Sequence, residues 1–263
     1  MFSVTILGNN SAVPAYDRLP TSQLVDMDGQ LFLIDCGEGT QMQLMRYKLR
    51  YNRISHVFIS HLHGDHYFGL IGLINSFGLL NRQQDLHVYG PAPLKGILDL
   101  QLQVASTQLP FTLHFHEISE AGILAETESL IIGCFPTDHR IPCFGFSFTE
   151  KRIPRKLAEA GREPRRYAYC ADTRYHEGLL DHIRNFDMIY HEATYLDDLK
   201  DKAAARYHTT AKQAAELAKK ANVGKLLLGH FSSQYESISS FEQEARSVFP
   251  NTENAQQGLT YFV

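Results

Sequence analysis

Histidine and aspartate are concentrated in one short segment of the sequence, Ser60-His61-Leu62-His63-Gly64-Asp65-His66. Imidazole and carboxylate groups are the side chains that bind divalent transition metals. In an extended segment, alternation places His61 and His63 on the same side, and a turn at Gly64 lets Asp65 and His66 face back toward them. We therefore predict that this one loop supplies ligands to two metal ions.

Further ligands must come from other parts of the chain, because two metals with three protein ligands each need about six donors. His139, Asp172 and His230 are the candidates, and each follows an apolar segment typical of a β-strand. A ligand at the end of a strand is held in place by the sheet behind it. Each of the three alone is as compatible with a capping or surface role, but together with the histidine loop they favour a two-metal site.

The elements that must position these side chains alternate between strand and helix. Apolar runs bounded by turn residues predict strands over 4–7, 23–28, 30–35, 56–60, 86–89, 111–118, 129–135, 143–149, 167–171, 188–190 and 225–228. Helical spacing predicts helices over 40–49, 67–80, 93–105, 155–160, 210–221 and 240–249. Antiparallel strands followed by strand and helix alternation predict an α/β protein with two sheets packed together and helices on their outer faces.

Bulk composition limits the class of protein. The 263 residues fit a single domain spanning residues 1–263. A net charge of −4 excludes a global positive field, so any contact with nucleic acid must be local. The four cysteines are too far apart for a disulfide framework or a thiolate zinc site, so we expect reduced core residues. The start of the chain does not resemble a signal peptide, which favours a cytoplasmic location.

The chain resembles the metallo-β-lactamase superfamily, whose signature His-x-His-x-Asp-His is matched by the segment from His61 to His66. Within it, the chain is similar to the ribonuclease Z family, endonucleases that mature transfer RNA 3′ ends. This narrower resemblance extends over nearly the whole chain and depends on three segments: Asp35-Cys36-Gly37-Glu38-Gly39-Thr40-Gln41, His191-Glu192-Ala193-Thr194 and His208-Thr209-Thr210.

The resemblance implies an αββα sandwich of two mixed β-sheets with helices on the outer faces, the metallo-β-lactamase fold. It implies two Zn²⁺ per chain, although Mn²⁺ or Fe²⁺ could fill the same ligands. One zinc is expected on His61, His63 and His139, and the other on Asp65, His66 and His230. Asp172 is expected to bridge them. Two such ions share a water, lower its pKa towards about 7, and stabilise charge on an attacked phosphodiester.

Catalytic roles follow from the same resemblance. Asp65 is expected to orient the metal-bridging hydroxide and accept its proton. His208 is expected to protonate the departing 3′ oxygen, with Glu192 holding the imidazole in its protonated form. The alternative for His208 is an exposed histidine at a helix start, and for Glu192 a solvated acid.

The sequence departs from the family in its RNA-binding parts. The interval between His139 and Asp172 lacks the long flexible arm that grips transfer RNA in the best-known members. A basic segment containing Arg152, Arg155, Lys156, Arg165 and Arg166 occupies part of the interval and could bind phosphate. The loop from Pro14 to Leu19 only partly resembles the family's recognition loop, and Arg18 is its candidate phosphate ligand.

Other functions remain open at this stage. The first alternative is a phosphodiesterase of the same superfamily acting on cyclic nucleotides or cyclic ribose phosphates, which the missing arm favours. A non-catalytic scaffold is a further alternative, but it would be expected to have lost metal ligands. The resemblance also implies a homodimer whose partner is RNA in the form of precursor transfer RNA. No segment is uniformly apolar for 18 residues, so we expect no contact with a membrane.

Overall fold

The computed structural model describes residues 1–151, 153 and 161–263, and these form two compact units. The first unit contains residue 1, residues 3–119 and residues 256–261. The second contains residue 2, residues 120–255 and residues 262–263. The expectation of one domain over 1–263 therefore stays a prediction.

The first unit is built on a seven-stranded sheet in the order β14-β1-β2-β3-β4-β5-β6. The strands are β1 (Phe2–Gly8), β2 (Ser22–Met27), β3 (Gln30–Ile34), β4 (Ile54–Phe58), β5 (Leu86–Gly90), β6 (Leu113–Glu117) and β14 (Thr260–Phe262). β2 and β3 are antiparallel, whereas β3, β4, β5 and β6 are parallel. The sheet is therefore mixed.

Helices of the first unit cover the apolar side chains of its sheet. They are α1 (Thr40–Arg46), α2 (Gly64–Tyr67), α3 (Leu70–Leu79) and α4 (Pro93–Val104), with a 3-10 turn at Tyr51–Arg53. Leu73, Ile74 and Phe77 of α3 join Val57 and Val88 of the strands in one buried cluster. The removal of this apolar surface from water is the main stabilising contribution.

The second unit has a seven-stranded mixed sheet in the order β13-β12-β11-β10-β9-β8-β7. Its strands are β7 (Gly122–Glu126), β8 (Leu130–Pro136), β9 (Phe144–Glu150), β10 (Arg166–Cys170), β11 (Met188–Glu192), β12 (Lys225–Gly229) and β13 (Thr252–Asn254). β10 to β13 are parallel, and β7 to β10 are antiparallel. β10, β11 and β12 are almost continuously buried, as is typical of parallel strands covered on both faces.

Helices of the second unit are α5 (Leu180–Ile183), α6 (Lys200–Ala205), α7 (Ala211–Lys220) and α8 (Ser239–Arg246), with 3-10 turns at Glu177–Leu179 and Asp197–Leu199. The start of α7 is fixed by a capping box between Thr210 and Gln213. The buried face of α7 is rich in alanine and joins the cluster around Leu226, Leu228 and Phe231. This close packing fixes the loop that precedes α7.

The two mixed sheets and their helices confirm the fold class expected from the sequence. The predicted strands and helices occur with shifted ends; the helix predicted over 67–80 is α3, and the short helix α2 precedes it. The helix predicted over 155–160 lies outside the described residues. All four cysteines are buried and free, as expected. Within the described ranges, no helix is long and apolar enough to cross a membrane.

Candidate metal centre

The histidine loop lies between the end of β4 and the start of α2, and His63 occupies the N-cap position of that helix. Nε2 of His61 and Nδ1 of His63 are 3.0 Å apart. Nε2 of His66 is 3.6 Å from Oδ2 of Asp65. His61 and His66 are fully buried. The loop therefore brings its four ligand-type side chains together, and their role as metal ligands stays a prediction.

Asp35 and Ser60 orient the buried imidazoles of this loop. Nδ1 of His66 lies 2.7 Å from Oδ2 of Asp35, and the Ser60 hydroxyl donates to the same oxygen at 2.9 Å. Because that hydroxyl uses its single hydrogen in the bond to Asp35, its oxygen accepts a hydrogen bond from Nδ1 of His61 at 3.0 Å. Both rings are thereby protonated at Nδ1, and Nε2 keeps its lone pair. Partners of this kind orient metal-binding histidines.

The loop between β1 and β2 contacts Asp65 directly. The backbone amide of Ala12 donates to Oδ2 of Asp65 at 2.7 Å. The Ala12 amide therefore holds a carboxylate of the candidate site. Ala12 reaches this position with a φ of 63°, which a non-glycine residue seldom adopts.

The second unit contributes His139, Asp172 and His230, which follow β8, β10 and β12. Nε2 of His230 is 3.2 Å from Oδ1 of Asp172. Nδ1 of His139 donates to the backbone oxygen of Tyr207 at 3.2 Å, which leaves Nε2 of His139 with its lone pair. Burial lowers the pKa of His139, which favours the neutral form that binds metal.

A buried carboxylate, Glu192 at the end of β11, organises the surroundings of His208. Oε1 of Glu192 accepts from Nδ1 of His208 at 2.8 Å and from the amide of Thr173 at 3.1 Å. Oε2 accepts from the amide of Thr194 at 3.0 Å and from its hydroxyl at 2.8 Å. Burial alone would raise the pKa of Glu192, but the positive charge and hydrogen bond of His208 outweigh it and lower that pKa.

His208 lies in the short segment between α6 and α7. Its amide donates to the backbone oxygen of Ala203 at 2.9 Å, and Thr210 two residues later caps α7. Tyr207 has a φ of 60°, which turns the chain at this point. Its carbonyl oxygen accepts a hydrogen bond from His139, and the side chain of His208 donates to Glu192. The imidazole of His208 is 12% exposed, so the alternative of an exposed surface histidine is not observed.

Within the second unit, Asp172, His208 and His230 each place one potential ligand atom within 4.8 Å of the others. Within the first unit, His61 contacts His63 and Asp65 lies beside His66. The assignment of the seven predicted ligands to individual metals stays a prediction. The donors are imidazole and carboxylate with no thiolate, a set suited to zinc, manganese or iron. The residues therefore fit a metal site.

The arginines predicted to bind phosphate have partners within the protein. Arg165 forms a double contact with Glu150, at 2.9 and 3.1 Å. Arg166 packs over the ring of Phe186 at 5.0 Å. Arg18 is nearly buried and donates to the side chain of Asn10 at 3.0 Å. These contacts do not support a phosphate-binding role, which stays a prediction.

Two other predicted phosphate ligands, Arg152 and Arg155, lie outside the described residues, as does Lys156. Nothing in the structure bears on their role.

Four histidines outside the predicted metal site lie together on the sheet of the first unit. His56, His87 and His114 are partners on β4, β5 and β6, and their neighbouring rings stack at 4.9 and 4.7 Å. We call these three the histidine ladder. Nδ1 of His87 is 3.0 Å from Nε2 of His116, and His114 pairs with Asp85 at 2.8 Å. These histidines are brought together by pairing between neighbouring strands, which their spacing in the sequence does not reveal.

Sequence reasoning missed the residues that orient the ligands. Asp35 and Thr194 lie in segments that carried the family resemblance, but we assigned neither a role. Asp35, like the predicted ligands, directly follows a strand, and that position was the available signal. Ser60 and Tyr207 act through a hydroxyl and a backbone carbonyl, so their residue types gave no signal.

Comparison with known proteins relates the whole chain to ribonuclease Z. A family model described as "Anti-Pycsar protein Apyc1" matches residues 2–253. A protein named Ribonuclease Z from Bacteroides fragilis (strain YCH46) is 38% identical, covering 98% of each chain. Another Ribonuclease Z, from Phocaeicola vulgatus, is 40% identical over 98% of this chain and 96% of its own. Both alignments span 297 positions, more than the 263 residues here, so these relatives contain residues that this chain lacks.

Solved structures give the same relationship. Human tRNase Z, short form (ELAC1), superposes with a TM-score of 0.83 at 30% identity and 98% coverage of each chain. The metallo-β-lactamase fold protein YhfI from Bacillus subtilis superposes with a TM-score of 0.79 at 22% identity, covering 99% of this chain and 98% of its own. The second likeness concerns the fold alone.

The fold and the His-x-His-x-Asp-His loop define the protein as a hydrolase of the metallo-β-lactamase class with a cluster suited to metal. Within that class, the chain belongs to the ribonuclease Z family, and it also belongs to the family that the Anti-Pycsar protein Apyc1 model describes.

Proposed function

We propose that the protein is a metal-dependent endoribonuclease that removes 3′ trailers from precursor transfer RNA. The observation that carries this proposal is the identity of 38–40% to proteins named Ribonuclease Z along 98% of the chain. The residues that the family resemblance requires for metal binding and proton transfer are all present, and their contacts are compatible with those roles.

We propose two Zn²⁺ ions per chain, with Mn²⁺ or Fe²⁺ as possible substitutes. The first would be held by His61, His63 and His139, the second by Asp65, His66 and His230, and Asp172 would be a ligand of both. Support comes from the placement of potential ligand atoms of Asp172, His208 and His230 within 4.8 Å of one another. It also comes from the hydrogen bonds that leave Nε2 of His61, His66 and His139 with a lone pair.

When bound, two divalent ions would supply activation of a water and neutralisation of charge on the attacked phosphodiester. Asp65 would orient that water and accept its proton. The amide of Ala12 holds one carboxylate oxygen of Asp65, so the direction of the carboxylate is set before substrate arrives. A base fixed in this way need not reorganise during the reaction.

His208 protonates the departing 3′ oxygen through Nε2, because its Nδ1 is engaged by Glu192. The ionised, buried carboxylate of Glu192 stabilises the imidazolium form of His208. Three further donors, the amides of Thr173 and Thr194 and the Thr194 hydroxyl, keep Glu192 in place. The pair therefore has the geometry of a general acid with its orienting carboxylate.

RNA binding in the absence of the long arm is assigned to Arg18, Arg152, Arg155, Arg165 and Arg166. Their replacement by serine should flatten the dependence of precursor transfer RNA binding on salt, because each lost phosphate contact lowers that slope. An unchanged slope would remove the patch from the proposal.

A homodimer and a cytoplasmic location complete the proposal. Support for the dimer is the resemblance to the ribonuclease Z family. Sedimentation of the purified protein at several concentrations tests it, and a single monomeric species at every concentration would contradict it.

The experiment that tests the function compares two substrates. Metal-loaded protein is given precursor transfer RNA with a 3′ trailer and, separately, 2′,3′-cyclic nucleotides. Cleavage of the RNA at the trailer junction is the expected result. Hydrolysis of the cyclic nucleotides alone would favour the small-molecule phosphodiesterase, which the matched relatives named Ribonuclease Z do not favour.

A further inference from the structure

The hydroxyl of Thr194 lies between two groups of the site. It donates to Oε2 of Glu192 at 2.8 Å and is 2.9 Å from Nδ1 of His230. Thr194 is 2% exposed, so water does not compete for these contacts. The hydroxyl therefore connects the carboxylate that holds His208 to an imidazole of the metal-binding group.

The direction of these hydrogen bonds determines the tautomer of His230. An ionised carboxylate only accepts hydrogen bonds, and a hydroxyl has a single proton. Because the Thr194 hydroxyl donates its one hydrogen bond to Glu192, its oxygen must accept a hydrogen bond from Nδ1–H of His230. His230 is then protonated at Nδ1, and its Nε2, 3.2 Å from Oδ1 of Asp172, retains the lone pair.

The Thr194 hydroxyl can be removed without loss of the other hydrogen bonds to Glu192. The amide of Thr194 also donates to Oε2 of Glu192, at 3.0 Å. Oε1 is bound by His208 and by the amide of Thr173. Loss of the hydroxyl alone therefore leaves Glu192 and His208 with most of their hydrogen bonds, and the main change falls on His230.

We propose that Thr194 is a positioning residue that fixes His230 in the Nδ1-protonated tautomer and thereby prepares Nε2 as a metal ligand. This inference rests on the proposed function, in which His230 binds one of two metals. It further predicts that the Thr194 hydroxyl affects the affinity for the metal on His230 and leaves unchanged the affinity for the metal on His61, His63 and His139.

The test measures metal affinity in Thr194→Val, which keeps the shape of threonine and lacks the hydroxyl, and in Thr194→Ser, which keeps the hydroxyl. Zn²⁺ is titrated into the full-length protein against a chromophoric chelator, and Co²⁺ absorption reports ligand geometry. We expect Thr194→Val to weaken one of two Zn²⁺ sites by about 10–100-fold, the usual effect of losing a partner of a metal-binding histidine. Thr194→Ser should restore the wild-type affinity and spectrum.

A matched control is Thr252→Val. Thr252 is also fully buried in the second unit, and its hydroxyl donates to the backbone oxygen of Phe249 at 2.6 Å. It should leave both Zn²⁺ affinities unchanged. If Thr194→Val does not fold, as judged by circular dichroism, Thr194→Ala takes its place in the same comparison with Thr194→Ser.

Two results would overturn the inference. Unchanged Zn²⁺ affinities and Co²⁺ spectrum in the variant without the hydroxyl would show that His230 does not need it. Equal weakening in Thr194→Ser would show that shape, not hydrogen bonding, is responsible. A failure of the proposed function appears separately, because wild-type protein would then bind fewer than two metals or leave precursor transfer RNA uncut.

Discussion

Replacement of His56 by phenylalanine should reduce the acid sensitivity of the fold. His56 is half-buried in the histidine ladder, stacked on His87 at 4.9 Å and close to Phe32 at 5.5 Å. Burial, followed by the imidazoles of His87 and His116, lowers the pKa of His56 from 6.5 to about 4. A phenyl ring keeps the aromatic contacts and cannot take up a proton.

The sign and size of the effect follow from proton linkage. The unfolded chain binds a proton at His56 near pH 6.5, whereas the folded protein does not until about pH 4. The unfolded state therefore binds more protons in this window, and the free energy of unfolding falls as the pH falls. One such group contributes at most about 2 kcal/mol between pH 7.5 and 5.0. Partial exposure of the side chain reduces this to about 1 kcal/mol.

Guanidinium denaturation of wild-type protein and His56→Phe at these two pH values measures the effect. The quantity of interest is the loss of unfolding free energy on acidification, compared between the proteins, so that other titrating groups cancel. The matched control is His182→Phe, because the half-buried ring of His182 stacks on Phe135 at 5.1 Å rather than on other imidazoles. It should lose as much stability as the wild type.

The reasoning would be refuted if His56→Phe lost as much stability on acidification as the wild-type protein. A reduced loss of equal size in His182→Phe would also refute it, because the effect would then belong to any half-buried histidine. His87 lies opposite His56 on β5. His114 and His116 of β6 contact His87, and Asp85 pairs with His114, so the result concerns the His56 proton within that cluster.

Three further predictions concern the metal centre. His208→Ala should lower kcat for precursor transfer RNA far more than it lowers the amount of bound metal. An equal loss of kcat and bound metal would contradict the acid role of His208. Gly37→Ala should cost about 1–3 kcal/mol of stability and reduce metal content, because the added Cβ would lie 2.4 Å from the backbone oxygen of Asp65. Gly72→Ala, where the added Cβ has only a 3.6 Å contact, is the control and should stabilise α3 slightly. Chelation of bound metal should lower Tm, since a ligand at about 100 times its Kd stabilises by about 2.7 kcal/mol; an unchanged Tm would argue against tight binding.

Much of the fold was predictable because the central strands are continuous apolar runs. The elements that were missed are short or polar. β13 is the tripeptide from Thr252 to Asn254, and its pairing with β12, rather than its own pattern, makes it a strand. β7 is largely exposed, so it lacks the alternation that marks a half-buried strand.

The candidate site was predictable where residue type alone carries the chemistry. His61, His63 and Asp65 are recognisable because few other side chains bind metal. The environment of Glu192 was not predictable, since the buried hydrogen bonds that hold it come from backbone amides at Thr173 and Thr194. Amides are present at every non-proline position, and only the folded chain decides which of them converge.

Asp35, Tyr207 and His230 have φ values of 51°, 60° and 59°, a backbone region where glycine is the residue of lowest cost. Glycine cannot serve at Asp35 or His230, because their side chains contact the proposed metal ligands or belong to them. Each of these residues therefore adopts a positive φ at a conformational cost of about 1–2 kcal/mol that glycine would avoid. Selection for thermal stability alone would favour glycine at such positions, and it would thereby replace residues of the candidate metal centre.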